Sequence, residues 1–170
     1  VGATALARGL LGLGIAPGAH VGLLAGNGVD FVEAFFAAAL LGCVVVPLNA
    51  RHRTTELTYI INHADLAALI VSNEDDAPVD FGTVLADLFP TLAEQTPGQP
   101  LALASAPMLR HIVKLRGVAT PGTIGRDLLA AFAAPVPATA VETARRAVRV
   151  RDPGLMIYTS GTTANPKGCL

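Results

Sequence analysis

Over the first 72 residues the apolar positions switch repeatedly between a helical and an extended period. Leu6, Leu10 and Leu13 fall at i, i+4 and i+7, which predicts a helix that the Ala16-Pro17-Gly18 run stops. Residues 21–25 form a short apolar run read as a strand, followed by the turn cluster Gly26-Asn27-Gly28. Val32, Phe35, Phe36, Ala39 and Leu40 then repeat at helical spacing, with Gly42 placed to close the helix and residues 43–46 returning to strand. Thr54 is the predicted N-cap of a third helix, with Glu56 near its positive end and Leu57, Ile60, Ile61 and Ala64 on its buried face. Residues 67–71 are strand again. Strands that are apolar throughout, alternating with amphipathic helices, require a sheet covered on both faces, so the fold class is α/β with a largely parallel sheet flanked by helices.

Residues 73–152 are less regular. Residues 73–76 read as an acidic turn in which Asp75 and Asp76 are turn residues rather than an acid/base pair. Leu85, Leu88, Phe89 and Leu92 make a helical face that Pro90 shortens, and residues 95–100 are a loop. Residues 112–115 predict a strand, 127–132 a short helix and 134–138 a proline-rich connector. The chain therefore divides into a regular α/β stretch over about 1–72, a less regular one over 73–152, and a strand with a loop over 153–170.

Composition narrows the function classes. The chain has 170 residues, 52% apolar and 15% charged, against a charged share of about 25% in ordinary soluble domains. A net charge of −1 gives no field to hold a polyanion or an anionic membrane, which excludes nucleic acid as the expected partner. Cys43 and Cys169 make neither a disulfide framework nor a zinc pattern, so a reducing, cytoplasmic setting is expected. The longest apolar run, residues 34–46, contains Gly42 and falls short of the roughly 20 residues of a membrane-spanning helix. No basic region precedes the first apolar stretch, so no signal peptide is read.

His20, His52, His63 and His111 share no metal-ligand spacing, so no metal site is assigned; His63 is explained by the dipole at its helix end, and Cys43 by the core. Arg145, Arg146, Arg149 and Arg151 supply most of a basic excess in the second half of the chain. They read as a solvated helix end or linker face, with a phosphate-recognising patch as the alternative.

One segment carries chemistry. Residues 155–158 are an apolar strand running into Thr159-Ser160-Gly161-Thr162-Thr163-Ala164-Asn165-Pro166-Lys167-Gly168. Small residues let backbone N–H groups approach an anion, hydroxyls donate to phosphate oxygens, and a lysine adds a mobile charge. Ligands of open α/β sheets sit at strand carboxyl ends. Pro166 and Gly168 break the G-x-x-x-x-G-K-[ST] pattern, so this is not a Walker A loop. As composition alone the segment is equally a plain loop; the ordered string is more specific.

Residues 158–168 resemble the phosphate-binding signature of the adenylate-forming, or AMP-binding, enzymes: acyl-CoA synthetases, luciferases and nonribosomal peptide synthetase adenylation domains. Leu13-Gly14-Ile15 before Pro17-Gly18, residues 21–24 before Asn27, the helix ending at Gly42, residues 44–49, Glu56-Leu57 and the strand to Ser72 follow the order of that family's N-terminal region. The resemblance implies the N-terminal part of the family's large domain, incomplete, with the C-terminal domain absent. It implies a ligase that joins a carboxylic acid to AMP from Mg²⁺-bound ATP and then to coenzyme A, fatty acids being the expected acids. Thr159, Ser160, Thr162 and Thr163 would then bind the β and γ phosphates. Gly161 and Gly168 would permit the close backbone path, and Lys167 would neutralise the leaving pyrophosphate. Ala164 stands where the family has glycine, a cost of about 1 kcal/mol if that position needs positive φ.

The family's adenine, ribose and Mg²⁺ ligands and its catalytic lysine follow this loop and are not in the sequence. The chain alone is therefore expected not to adenylate. Its alternatives are a non-catalytic module that docks on the missing remainder or another chain, the adenylation part of another adenylate-forming ligase, or an unrelated phosphohydrolase. The apolar excess is expected to face that remainder.

Overall fold

The computed structural model describes residues 2–49, 51–73, 79–117, 120–159 and 166–170. A five-stranded parallel sheet has the order β2-β1-β3-β4-β5, built from β1 (His20–Ala25), β2 (Val44–Pro47), β3 (Leu66–Ser72), β4 (His111–Arg116) and the short β5 (Ile124–Gly125). The helices α1 (Gly2–Gly12), α2 (Val29–Leu40), α5 (Arg126–Ala133) and α6 (Ala138–Ala147) cover one face. The other is covered by α3 (Thr54–His63), α4 (Phe81–Leu88) and a 3-10 turn at Leu92–Glu94.

The pleat divides each strand between these layers. Val21 and Leu23 of β1, Ala68 and Ile70 of β3, and Val113 and Leu115 of β4 enter the core under α1 and α2. Their neighbours Leu24, Leu69, Val71 and Ile112 enter the core under α3 and α4. Successive side chains point to opposite faces, so strands buried on both sides must be apolar at every position, the pattern seen in the sequence.

Helix ends show where local chemistry was read correctly and where it was not. Gly42, at φ 71°, ends α2. Its N–H donates to Ala39 C=O (3.0 Å) and that of Cys43 to Ala38 C=O (3.1 Å), the Schellman arrangement that favours glycine. The same device, not Pro17-Gly18, ends α1. Gly14 lies at φ 79°, and Ile15 N–H donates to Leu10 C=O at 3.0 Å. The N-cap of α3 is Arg53 rather than Thr54, because Glu56 reaches back to accept from the Arg53 N–H (2.8 Å). α4 ends at Leu88, before Pro90, and α6 follows the connector over residues to which the sequence assigned no element, with Arg145 and Arg146 in its last turn, the solvated helix end read for them. On α6, Glu142 takes both Arg145 (2.7 Å) and Arg146 (2.6 Å), all three side chains exposed. The acidic turn read at Glu74, Asp75 and Asp76 lies outside the described residues.

Candidate functional site

The last segment leaves the sheet alongside β2. Val45 N–H donates to Gly154 C=O (3.1 Å) and Met156 N–H to Val45 C=O (2.9 Å), with Leu155 opposite Val45 in a parallel bridge. Because residues 154–156 run in the direction of β2, the chain continues past the carboxyl end of the sheet. There β6 (Ile157–Thr159) pairs antiparallel with β7 (Lys167–Cys169), in the register Ile157 with Cys169, Tyr158 with Gly168 and Thr159 with Lys167. The segment 159–168, read from the sequence as one loop, thus ends in a strand at Lys167 and Gly168.

Of the seven residues assigned to phosphate, Thr159, Lys167 and Gly168 are described, and Ser160, Gly161, Thr162 and Thr163 lie outside the described residues, as do Ala164 and Asn165. Thr159 and Lys167 face each other across the ladder, both exposed. Directly opposed residues project from the same face with Cβ atoms about 4.5–5.5 Å apart. Thr159 and Lys167 therefore stand on the same face of the hairpin, at the inner ends of β6 and β7.

The other face of the hairpin carries Tyr158. Its hydroxyl lies 2.7 Å from His63 Nδ1, and its ring meets the His63 ring edge-on at 5.7 Å. Tyr59, one turn earlier on α3, stacks on the same imidazole at 5.1 Å. Burial, with Tyr59 and Asp65 adding to it, pushes the Tyr158 phenol above its ordinary value, so it is a neutral hydroxyl at neutral pH. Gly168 sits against this ring: a Cβ there would lie 3.1 Å from Tyr158 Cζ and 3.2 Å from its hydroxyl oxygen. The glycine read as giving a path to phosphate thus has a packing reason as well.

Sequence reasoning missed a second group at the strand ends. The order β2-β1-β3-β4-β5 reverses between β1 and β3, where open α/β sheets form a crevice. A cavity of ≈ 240 Å³ there is lined by Gly26, Gly28, Val29, Asp30, Ser72 and Arg116. Asp30, 8% exposed, accepts from Ser72 Oγ (2.6 Å), Arg116 Nε (3.1 Å) and Arg126 (2.7 Å). Burial alone would raise its pKa; the Ser72 hydroxyl and the two guanidinium groups offset that and hold the carboxyl below its ordinary value. These partners stand 42 to 96 residues away in sequence, beyond the reach of any local pattern. Lys114, buried on β4, donates to Thr120 Oγ1 at 2.8 Å, and its pKa is lowered by burial against a partial offset from Asp80.

Among the described residues no group of three or more His, Cys, Asp or Glu could hold a metal ion, and no helix is long and apolar enough to cross a membrane.

A family model described as AMP-binding enzyme matches residues 2–170. Acyl-CoA ligase sidI of Aspergillus fumigatus is 31% identical over 165 residues, 97% of this chain and 26% of its own length. Long-chain-fatty-acid–CoA ligase FadD15 of Mycobacterium tuberculosis is 27% identical over 165 residues, 97% of this chain and 24% of its own. Among solved structures, the anthranilate CoA ligase AuaEII in complex with anthranoyl-AMP shares the fold at a TM-score of 0.70 and 26% identity, over 98% of this chain and 27% of that one. The chain spans 24–30% of the length of such relatives. A match over nearly every residue, on a parallel sheet flanked by helices, makes this chain a member of the AMP-binding enzyme family.

Proposed function

We propose that the chain provides the polyphosphate-binding part of an ATP-dependent acyl-CoA synthetase that activates a fatty acid. In the whole reaction a carboxylate oxygen attacks the α-phosphorus of Mg²⁺-bound ATP and pyrophosphate leaves. A coenzyme A thiol then attacks the acyl carbon, AMP leaves, and the thiol proton passes to solvent. The work of this chain is electrostatic: Thr159, Ser160, Thr162 and Thr163 donate to the β and γ phosphates. Lys167 neutralises the charge that gathers on the pyrophosphate as its bond to the α-phosphorus breaks. Gly161 and Gly168 keep the backbone close. Mg²⁺ enters with ATP as part of the substrate, and among the described residues no group of three or more His, Cys, Asp or Glu would hold it. Residues 1–170 form one partial AMP-binding domain, and the chain by itself does not adenylate.

The observation that supports this reading is the pairing of Thr159 with Lys167 across the base of a connection rich in hydroxyls. MgATP binding tests it, with pyrophosphate as competitor: Lys167→Ala should weaken binding roughly 10- to 100-fold, the worth of a charge-assisted hydrogen bond. Unchanged affinity in that variant would refute the site. Carboxylate-dependent ATP–pyrophosphate exchange by the 170-residue chain would refute the expected inactivity.

A second reading, a module that docks on a polypeptide carrying the family's later motifs, is favoured by exposed apolar residues. Val29, Val32 and Phe36 lie along one side of α2, and Val148 and Val150 follow α6. Co-purification with such a polypeptide would support it, and failure of the two to associate would count against it.

A further inference from the structure

β6 is three residues long and pairs with β7 alone among the described residues. The last backbone tie between this part of the chain and the main sheet is Met156 N–H on Val45 C=O. Beyond it, Ile157 and Thr159 are exposed, and Tyr158 is the residue of β6 turned toward the body of the protein. Without another tie the hairpin would swing about residue 156. Besides the packing of Met156 and Tyr158 on the core under α3 and α4, the tie is a side-chain hydrogen bond to His63, the last residue of α3. Its Nδ1 meets the Tyr158 hydroxyl, and its ring contacts those of both Tyr59 and Tyr158. Gly168 completes the arrangement, because a Cβ there would lie 3.1 Å from Tyr158 Cζ and the ring would have to give by a few tenths of an ångström.

We infer that His63 is a positioning residue for the phosphate loop: by holding Tyr158 it fixes β6, and with β6 the angle at which Thr159 and Lys167 meet the polyphosphate. The effect on ATP rests on the proposed function above; the effect on the hairpin does not. His63 is itself exposed, so its removal leaves both cores intact. The raised pKa of Tyr158 is consistent with a hydroxyl that stays in place as a neutral partner.

The chain brings its own probe. It has two tyrosines and no tryptophan, so its intrinsic emission comes from Tyr59 and Tyr158, the residues that contact His63. Amide hydrogen exchange and tyrosine emission are compared in the wild-type chain, His63→Ala, His63→Gln and Tyr158→Phe. Loss of one partly exposed hydrogen bond should speed exchange at 157–159 and 167–169 about three- to tenfold in His63→Ala and Tyr158→Phe. Exchange in β1 and β3 should not change. His63→Gln, whose amide can still reach the phenol, should recover most of the protection. Tyrosine emission should shift in His63→Ala and return in His63→Gln. MgATP should bind His63→Ala more weakly by a similar factor.

Unchanged exchange in the hairpin of His63→Ala would overturn the inference. So would faster exchange spread equally through β1 and β3, since that would mean general destabilisation. Equal MgATP affinity in a chain whose hairpin has loosened would overturn the link to the phosphate loop. A wild-type chain that binds no MgATP would instead refute the proposed function, while the exchange data would still decide whether His63 holds the hairpin.

Discussion

Replacing Asp30 by alanine should destabilise the chain more than any surface substitution, and the structure sets the size of the loss. The carboxylate is buried and accepts from Ser72, Arg116 and Arg126. The two arginine side chains are 50% and 47% exposed, so without their partner they return to water, and each contact is worth about 0.5–1 kcal/mol rather than the value of a dry ion pair. Ser72 cannot do the same: it is 4% exposed, and an orphaned buried hydroxyl costs about 1–3 kcal/mol. The sum is about 2–5 kcal/mol, or roughly 4–20 °C in Tm for a chain of this size. Asp30→Asn keeps an acceptor for Ser72 and should lose about half as much.

The pH dependence has a definite sign. The folded carboxyl titrates below its unfolded value. Its contribution is therefore complete above the unfolded pKa of about 3.9 and is lost as pH falls through the folded value. Urea titrations followed by far-UV circular dichroism, at about pH 7 and about pH 3, measure both effects. A gap of about 2–5 kcal/mol that narrows in acid is expected. A variant as stable as wild type at neutral pH, or a gap of the same size at both, would refute the reasoning.

Three further outcomes follow from particular contacts. Cys43 is 1% exposed and burial pushes its thiol up to about 11, while Cys169 is exposed; a chromogenic disulfide reagent at about pH 8 should titrate one thiol in the native chain and two in denaturant. Gly42→Ala places a Cβ at φ 71° and 3.1 Å from Val148 Cγ2, and should cost about 1–2 kcal/mol in thermal melts; an unchanged Tm would show that the helix end can relax. Leu69→Ala, at 0% exposure between β1 and α3, should cost about 2–5 kcal/mol by urea titration, and a loss below 1 would mean that the core collapses onto the site.

What was legible in the sequence was periodic or local. The uninterrupted apolar character of residues 21–25 and 67–71 announced a sheet buried on both faces, and Gly42 announced a helix end because its φ is one that glycine tolerates best. Local signals erred where two competed. Gly14 ended α1 before Pro17 could, and Glu56 selected Arg53 as its capping partner over Thr54. α6 was missed because it buries only Val141 and so carries little apolar stripe.

Of the candidate site, the family motif marked residues 159–168, yet the strand at Lys167 was hidden by the composition of the loop before it. His63 was set aside as a dipole residue because its partner lies 95 residues away. Asp30 was not singled out, since nothing near it in sequence tells that two arginines and a serine converge on it.

The strap of residues 154–156 along β2 also has a bearing on solubility. A parallel sheet this apolar presents, at any open border, a row of free N–H and C=O groups on which another chain can grow. One border is the two-residue β5, which passes directly into α5. The other is Val44-Val45-Val46, where the strap occupies both backbone groups of Val45. Three consecutive valines without charge are a strong template for intermolecular pairing. The segment that leads to the hairpin therefore also guards the sheet, and chains in which it detaches should associate through β2 into aggregates.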